Sequence, residues 1–321
     1  MCDCAIIIPT HNRHSYLKRS IEYFKNIDAN IIYIDSSDSS FSGEIYSNIK
    51  YFHTPTKTFP EKILYALEQI ESSYIALCAD DDFIIIDTLY KGVQCLEKEK
   101  SISTIIGNNL GFHENFDGKF YHDTTFKFTT PLVFLQKNVK SFFNNYRQIL
   151  WGLYRKPILE KSFKMILCSK FQNDNFIELV LGGICCDQGG IMILNEIWSV
   201  RELSAKEHWG DKHKSIAEYY FKNSSKTDFK NFYKNFDHVT SQGYAKKILF
   251  AYLNMSKTTF VKMKLKYLII NIIKYFYNST PKHYVYNNSY EKYTNLKMYD
   301  PKFSEFKQLE DITKILKYYS E

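Results

Sequence analysis

Residues Tyr74–Asp87 read YIALCADDDFIIID. An apolar run from Tyr74 to Ala79 stops at three consecutive acids, Asp80, Asp81 and Asp82, and a second apolar run follows at once. A run this short fits a strand buried on both faces, as in a parallel sheet. Adjacent carboxylates at its end repel one another, and burying them costs several kcal/mol unless a cation or hydrogen-bond donors compensate. A divalent cation held by hard oxygen ligands is one resolution. An acidic turn with its charges in water is the other. Open α/β sheets collect their ligands at the carboxyl ends of the strands, where these acids would lie.

The chain before the acids repeats one alternation. Ala5–Pro9 (AIIIP) predicts a buried strand, then a polar turn, Thr10-His11-Asn12-Arg13. A helix over Ser15–Asn26 follows, with Tyr16, Leu17, Ile21, Tyr23 and Phe24 at helical spacing and Ser15 placed to cap it. Asn30–Ile34 predicts a second strand ending in Asp35-Ser36-Ser37-Asp38, and Tyr51–His53 a weak third. Pro60 opens a helix with Glu61 and Lys62 in its first turn and Ile63, Leu64, Leu67 and Ile70 on its apolar face. Beyond the acids, Thr88–Lys98 predicts a helix and Ser103–Gly107 a strand. Alternating strands and helices with short connections predict an α/β, doubly wound, mostly parallel Rossmann-like sheet. Strand ends in such a sheet share an edge, so Thr10 to Arg13, Asp35 to Asp38 and Asp80 to Asp82 converge on one cleft.

The middle of the chain is less regular. Phe112–Phe128 is turn-rich, Gln148–Tyr154 predicts a strand ending at Arg155, Phe176–Cys186 a buried helix, and Ile191–Arg201 a strand pair. Beyond about Lys212, Gly nearly disappears and helical spacing takes over, with Lys246–Phe276 reading as one or two basic amphipathic helices. The expected division is a sheet domain over residues 1–210, with halves 1–107 and 108–210, and a helical carboxyl-terminal region over 211–321.

The chain has 321 residues, 45% apolar and 24% charged, in the range of a globular protein with a sizeable core. A net charge of +7 suits phosphates, nucleotides or an acidic membrane surface and does not single out nucleic acid. The seven cysteines include no C-x-x-C pair, which favours reduced thiols in a cytoplasmic protein. The amino terminus runs directly into a strand, so no signal peptide is expected.

AIIIPTHNR at Ala5–Arg13, IIYIDSSD at Ile31–Asp38 and YIALCADDDF at Tyr74–Phe83 together resemble family 2 glycosyltransferases of the GT-A fold, closest to bacterial enzymes that build capsule or lipopolysaccharide sugars. The resemblance implies a metal-dependent, inverting, hexosyltransferase-type enzyme that takes a nucleotide-sugar donor, a UDP-sugar, with an oligosaccharide or lipid-linked acceptor. It implies a nucleotide site including Pro9, Thr10, Asn12 and Arg13, with Asp35 against the base. The acids resemble the family's D-x-D element, which implies Asp80 toward the ribose and a Mn²⁺ or Mg²⁺ ion on Asp81. Asp82 either takes the sugar or shares the metal. Cys78 and Ser36 depart from the pattern, since acids are common at both places.

Such a cation stabilises the charge of a departing diphosphate. Lys62, at a helix start near the acidic strand, either adds positive charge or lies on the surface. Inverting transfer also needs a general base beside the acceptor hydroxyl. The resemblance places it in a segment like Asn173–Leu179, where Asp174 and Glu178 share a helix face. Asp187 is a third candidate. Arg201, His208 and Trp209 follow the last strand, where related enzymes carry an element that closes over the diphosphate. Trp151 and Tyr154 either stack on an acceptor sugar or are buried aromatics. The basic helices lie on an anionic membrane, form a dimer interface, or cover the sheet domain. Two rival readings are a nucleotidyltransferase, opposed by the lack of Gly in Pro9–His14, and a GT-A-like interaction module without catalysis.

Overall fold

The computed structural model of the chain describes residues 3–123, 133–135, 139–144, 146–203, 213–241, 243–255, 260–269, 296–299 and 307–320. The first strand, β1 (Cys4–Thr10), is buried along its whole length. On one side it pairs in parallel with β2 (Asn30–Asp35), which pairs in parallel with β3 (Ile49–His53). On the other it pairs in parallel with β4 (Tyr74–Leu77). The β1–β4 register stops at Ile7 and Leu77. Pro9, which has no N–H to give, therefore lies past the end of that neighbour, where a proline costs the ladder nothing.

Helix α1 (His14–Phe24) connects β1 to β2, and α2 (Phe59–Glu68) connects β3 to β4. Ser15 falls inside the first turn of α1; Arg13 is the cap position and gives no side-chain cap bond. In α2 the cap is Thr58, in a reciprocal capping box with Glu61 and with proline in the first turn. After the acids come the two-residue β5 (Phe83–Ile84), α3 (Ile86–Lys98) and β6 (Thr104–Phe112).

The sheet then becomes mixed. Strands β7 (Phe120–Asp123) and β8 (Val133–Leu135) pair antiparallel with β6 and with β10 (Ile191–Glu202) respectively. Strand β9 (Leu153–Arg155) inserts antiparallel between β4 and β6. Short helix α4 (Val139–Asn144) precedes β9, and α5 (Lys156–Ser169) and α6 (Phe176–Gln188) follow it. The expected strand pair over Ile191–Arg201 is one twelve-residue strand, β10, parallel to β6 and bulged between Ile193 and Ser199. The bulge presses on β6: a Cβ at Gly107 would stand 2.7 Å from the carbonyl oxygen of Glu196. This is the GT-A arrangement, an α/β sheet with a helical extension.

The extension folds back over the sheet domain. Helices α7 (Ile216–Tyr219), α8 (Ser225–Val239) and α9 (Tyr244–Met255) lead into α10, residues 260–269. Helix α8 packs on α5, and α9 packs on α4 and α6. Strand β11 (Leu296–Tyr299) adds antiparallel to β7, and α11 (Lys307–Ser320) packs on α1. Gln308 Oε1 accepts from the Ile86 amide at 2.9 Å. Buried Phe232, Phe236, Ile248, Leu309, Ile312 and Leu316 join the same apolar core as β1 and β4. These contacts seat α8, α9 and α11 as cover for the sheet.

Candidate active site

The cleft forms where β1, β2 and β4 end. Their parallel register puts Thr10, Asp35 and the acidic turn on one edge. Asp80, Asp81 and Asp82 are all buried, and each has a protein partner. Thr10 Oγ1 donates to Asp80 Oδ2 at 2.5 Å. Arg13 spans two acids, with one guanidinium nitrogen 2.8 Å from Asp80 Oδ1 and the other 2.5 Å from Asp81 Oδ2. Arg201, at the end of β10, donates from Nε to Asp82 Oδ2 at 2.9 Å, and the Glu202 amide donates to Asp82 Oδ1 at 3.1 Å. The antiparallel β5–β10 pair makes this contact, since Phe83 is in register with Val200.

Burial pushes Asp80 and Asp82 up to about 7, with the charge of Asp81 adding to it; Arg13 opposes the shift at Asp80 and Arg201 opposes it at Asp82. Lys62 is buried, not on the surface. It donates to the Thr10 carbonyl at 2.7 Å and to Ser36 Oγ at 3.0 Å, bracing the ends of β1 and β2. Burial lowers its pKa to about 8, and the charges of Asp80 and Asp35 limit the fall. Arg19 ties the cluster to α1: it donates to the Asp81 carbonyl at 2.9 Å and to Glu202 Oε2 at 3.2 Å, with the Tyr16, Phe83 and Phe112 rings around its guanidinium. Cys78 is a buried thiol bonded to the Ala79 and Asp82 carbonyls, so its carbon–sulfur stem packs where an acid would need a partner.

Asp35 has no exposed surface. The Ser37 amide donates to Oδ1 at 2.7 Å, as does the Ser37 hydroxyl; the Tyr51 hydroxyl donates to Oδ2 at 2.7 Å, with His14 Nε2 3.1 Å from the same oxygen. Burial alone would raise its pKa, but these bonds outweigh burial and lower it. A carboxylate offers about four acceptor positions, and all are filled. A base could reach Asp35 only by displacing Tyr51 or His14. Asn12 adopts φ 53, a left-handed conformation asparagine tolerates, and bonds reciprocally with Asp38 at 3.2 and 3.0 Å. Pro9, Thr10, Asn12, Arg13, Asp35, Lys62 and the acids are thus brought to one edge. His208 and Trp209 lie outside the described residues.

The candidate bases separate. Glu178, in the first turn of α6, accepts from the Tyr146 hydroxyl, and its charge acts on Arg201. Arg201 also donates to Gln148 Oε1 at 2.7 Å. Glu178 thus lies within electrostatic range of the arginine that binds Asp82, while its own bond is to Tyr146. Asp174 bonds His213 Nε2 at 3.1 Å, beside a cleft of about 270 Å³ lined by Asn173, His213, Lys214 and Lys222. Asp187 is at the other end of α6, whose last turn meets the start of β6 through Ser103 Oγ and the Cys185 carbonyl, 2.8 Å. That places it at the amino-terminal edge of the parallel strands, opposite the acids. Tyr154 is fully buried and donates to the Ile149 carbonyl, while Trp151 packs edge-on against Phe59 at 6.2 Å; both serve packing.

Sequence reasoning missed the bonding of Arg13 and Arg19 to the acid cluster and the part played by Tyr146 and Tyr51. An arginine amid the apolar positions of α1 was the available signal for Arg19.

Among the described residues, no group of three or more His, Cys, Asp or Glu is arranged to hold a metal. Among the described residues, five of the six triplet oxygens have protein donors and Asp81 Oδ1 has none. One open carboxylate oxygen fits a hard cation that takes its remaining ligands from substrate phosphates and water, as Mg²⁺ does. Both oxygens of Asp82 are committed to Arg201 and Glu202.

The family model described as Glycosyl transferase family 2 matches residues 5–173. No curated protein matches the chain. Among solved structures, S. aureus TarS 1-349 in complex with UDP-GlcNAc is similar, with TM-score 0.53 and 14% identity over 78% of this chain and 72% of that one. S. aureus TarS 1-349 alone gives TM-score 0.49 and 13% identity over 78% of this chain and 71% of that one. At these identities the likeness is one of fold.

Proposed function

The chain belongs to glycosyl transferase family 2, and we propose that it moves a sugar from a UDP-sugar to a hydroxyl of a growing bacterial surface polysaccharide, with inversion at the transferred carbon. One observation carries the reading: Thr10 and Arg13, from the end of β1, close on Asp80 and Asp81. The acceptor class follows from the resemblance of the three amino-terminal motifs to capsule and lipopolysaccharide enzymes.

Asp81 would hold a divalent cation through Oδ1. Such a cation, when bound, supplies positive charge for the diphosphate that leaves. The chain's own groups do the rest. Thr10 and Arg13 fix the acids, and Lys62 holds the β1 and β2 ends in register from beneath. Arg13, partly exposed between two carboxylates, would offer further guanidinium N–H donors to the diphosphate. Glu178 is the base we favour, because its charge lies within range of Arg201, which binds Asp82, and Tyr146 orients its carboxylate. It would take the proton of the acceptor hydroxyl as the new glycosidic bond forms.

The test is release of nucleoside diphosphate from a panel of UDP-, GDP- and CDP-sugars in Mn²⁺. Slow release of UDP from a UDP-sugar, lost on chelation, supports the proposal. Release from none of the panel overturns it.

A further inference from the structure

Helix α10, residues 260–269, turns an apolar face outward. Phe260 packs on Tyr220 at 5.7 Å and on Phe221 at 5.1 Å, and Tyr267 packs on Phe221 at 5.7 Å. These contacts fix which side of the helix meets the protein. At about 100° per residue, Leu265 and Ile269 fall on the far side, and Val261 and Leu268 on the adjoining flank, in one continuous stripe. They are 44%, 55%, 49% and 55% exposed. Lys264 borders this stripe on one flank, and Lys262 and Lys266 on the other.

Four large aliphatic side chains in one outward stripe are costly to leave in water. The lysines decide between occupants. The core of a protein interface is depleted of charge, and lysine in particular is scarce there. At a lipid surface the same pattern is favourable: aliphatic groups enter the acyl boundary while flanking ammonium groups reach anionic headgroups. Ten residues span about 15 Å, half the hydrocarbon thickness, so the stripe suits a helix lying in the interface plane. No described helix is long and apolar enough to cross a membrane.

We propose that α10 anchors the protein to an anionic phospholipid surface through Val261, Leu265, Leu268 and Ile269. The proposal goes beyond the transferase reading and stands independently of it. Phe221 follows Tyr219, which lines the cleft beside His213 and Asp174. The residue that seats α10 is therefore two positions from the wall of that cleft.

The test is vesicle flotation of the full chain, without nucleotide. It uses phosphatidylcholine alone and phosphatidylcholine mixed with phosphatidylglycerol. Variants are Leu265→Ser with Leu268→Ser, and Lys262→Gln with Lys266→Gln. The wild type should float with the anionic vesicles only. The leucine pair should abolish flotation, and the lysine pair should weaken partitioning roughly fivefold per lysine. Circular dichroism checks folding, and the exposed lysine pair keeps the test open should the leucine variant misfold. No flotation of the wild type overturns the proposal, as does flotation that neither variant changes. A wild-type dimer that the leucine pair splits assigns the stripe to a second copy and also overturns it. A failed sugar-nucleotide panel leaves the vesicle result untouched.

Discussion

Arg13 stands 2.8 Å from Asp80 Oδ1. Its other guanidinium nitrogen holds Asp81, so one side chain from the β1–α1 turn bridges two neighbours on the acidic turn. Replacing it with Met should leave two buried carboxylates uncompensated. Removing one partner of a fully buried pair costs about 3–5 kcal/mol; partial exposure of Arg13 reduces the expected loss to about 2 kcal/mol. Urea denaturation near neutral pH measures it. A loss well under 1 kcal/mol would mean the acids are stabilised by other donors.

The acids should also make stability pH-dependent. Burial raises Asp80 and Asp82 to about 7. Between the ordinary aspartate value and that point the folded chain binds more protons than the unfolded chain. Stability of the metal-free protein therefore falls as pH rises through this window, by on the order of a few kcal/mol. Denaturation in EDTA across the range tests the sign; a flat or rising profile would contradict it.

Glu178 and Asp174 should part in kinetics. Glu178→Gln keeps the shape of the site but removes the base, so kcat should drop about 10²–10⁴-fold with UDP affinity unchanged. Asp174→Asn disturbs only the bond to His213 and should act mainly on acceptor KM. Full loss of kcat in Asp174→Asn with normal turnover in Glu178→Gln would transfer the role.

Much of the parallel half was legible because β1, β2 and β4 are short apolar runs buried on both faces, each followed by polar residues. The antiparallel insertions were not. The strand expected over Gln148–Tyr154 ending at Arg155 is only its last three residues, β9, and its antiparallel place between β4 and β6 left no mark in the sequence. Strand β10 read as two because Asn195 and Glu196 interrupt its apolar pattern, and the bulge there absorbs them. At the site, the acids announced themselves but their counter-charges did not. Arg201 lies 119 positions from Asp82, and only the β5–β10 pairing brings them together. The same limit applies to Asp35: nothing local indicates that Tyr51 and His14 would fill its second oxygen.

The open oxygen of Asp81 is where a divalent cation would join the protein to the nucleotide. Calorimetric titration of UDP into wild type and Asp81→Asn, each with and without Mn²⁺, addresses it directly. Mn²⁺ should tighten UDP binding to the wild type by about tenfold or more, roughly 1.4 kcal/mol, and Asp81→Asn should abolish this gain. Failure of the wild type to bind UDP in either condition, or a gain that survives in Asp81→Asn, would contradict it.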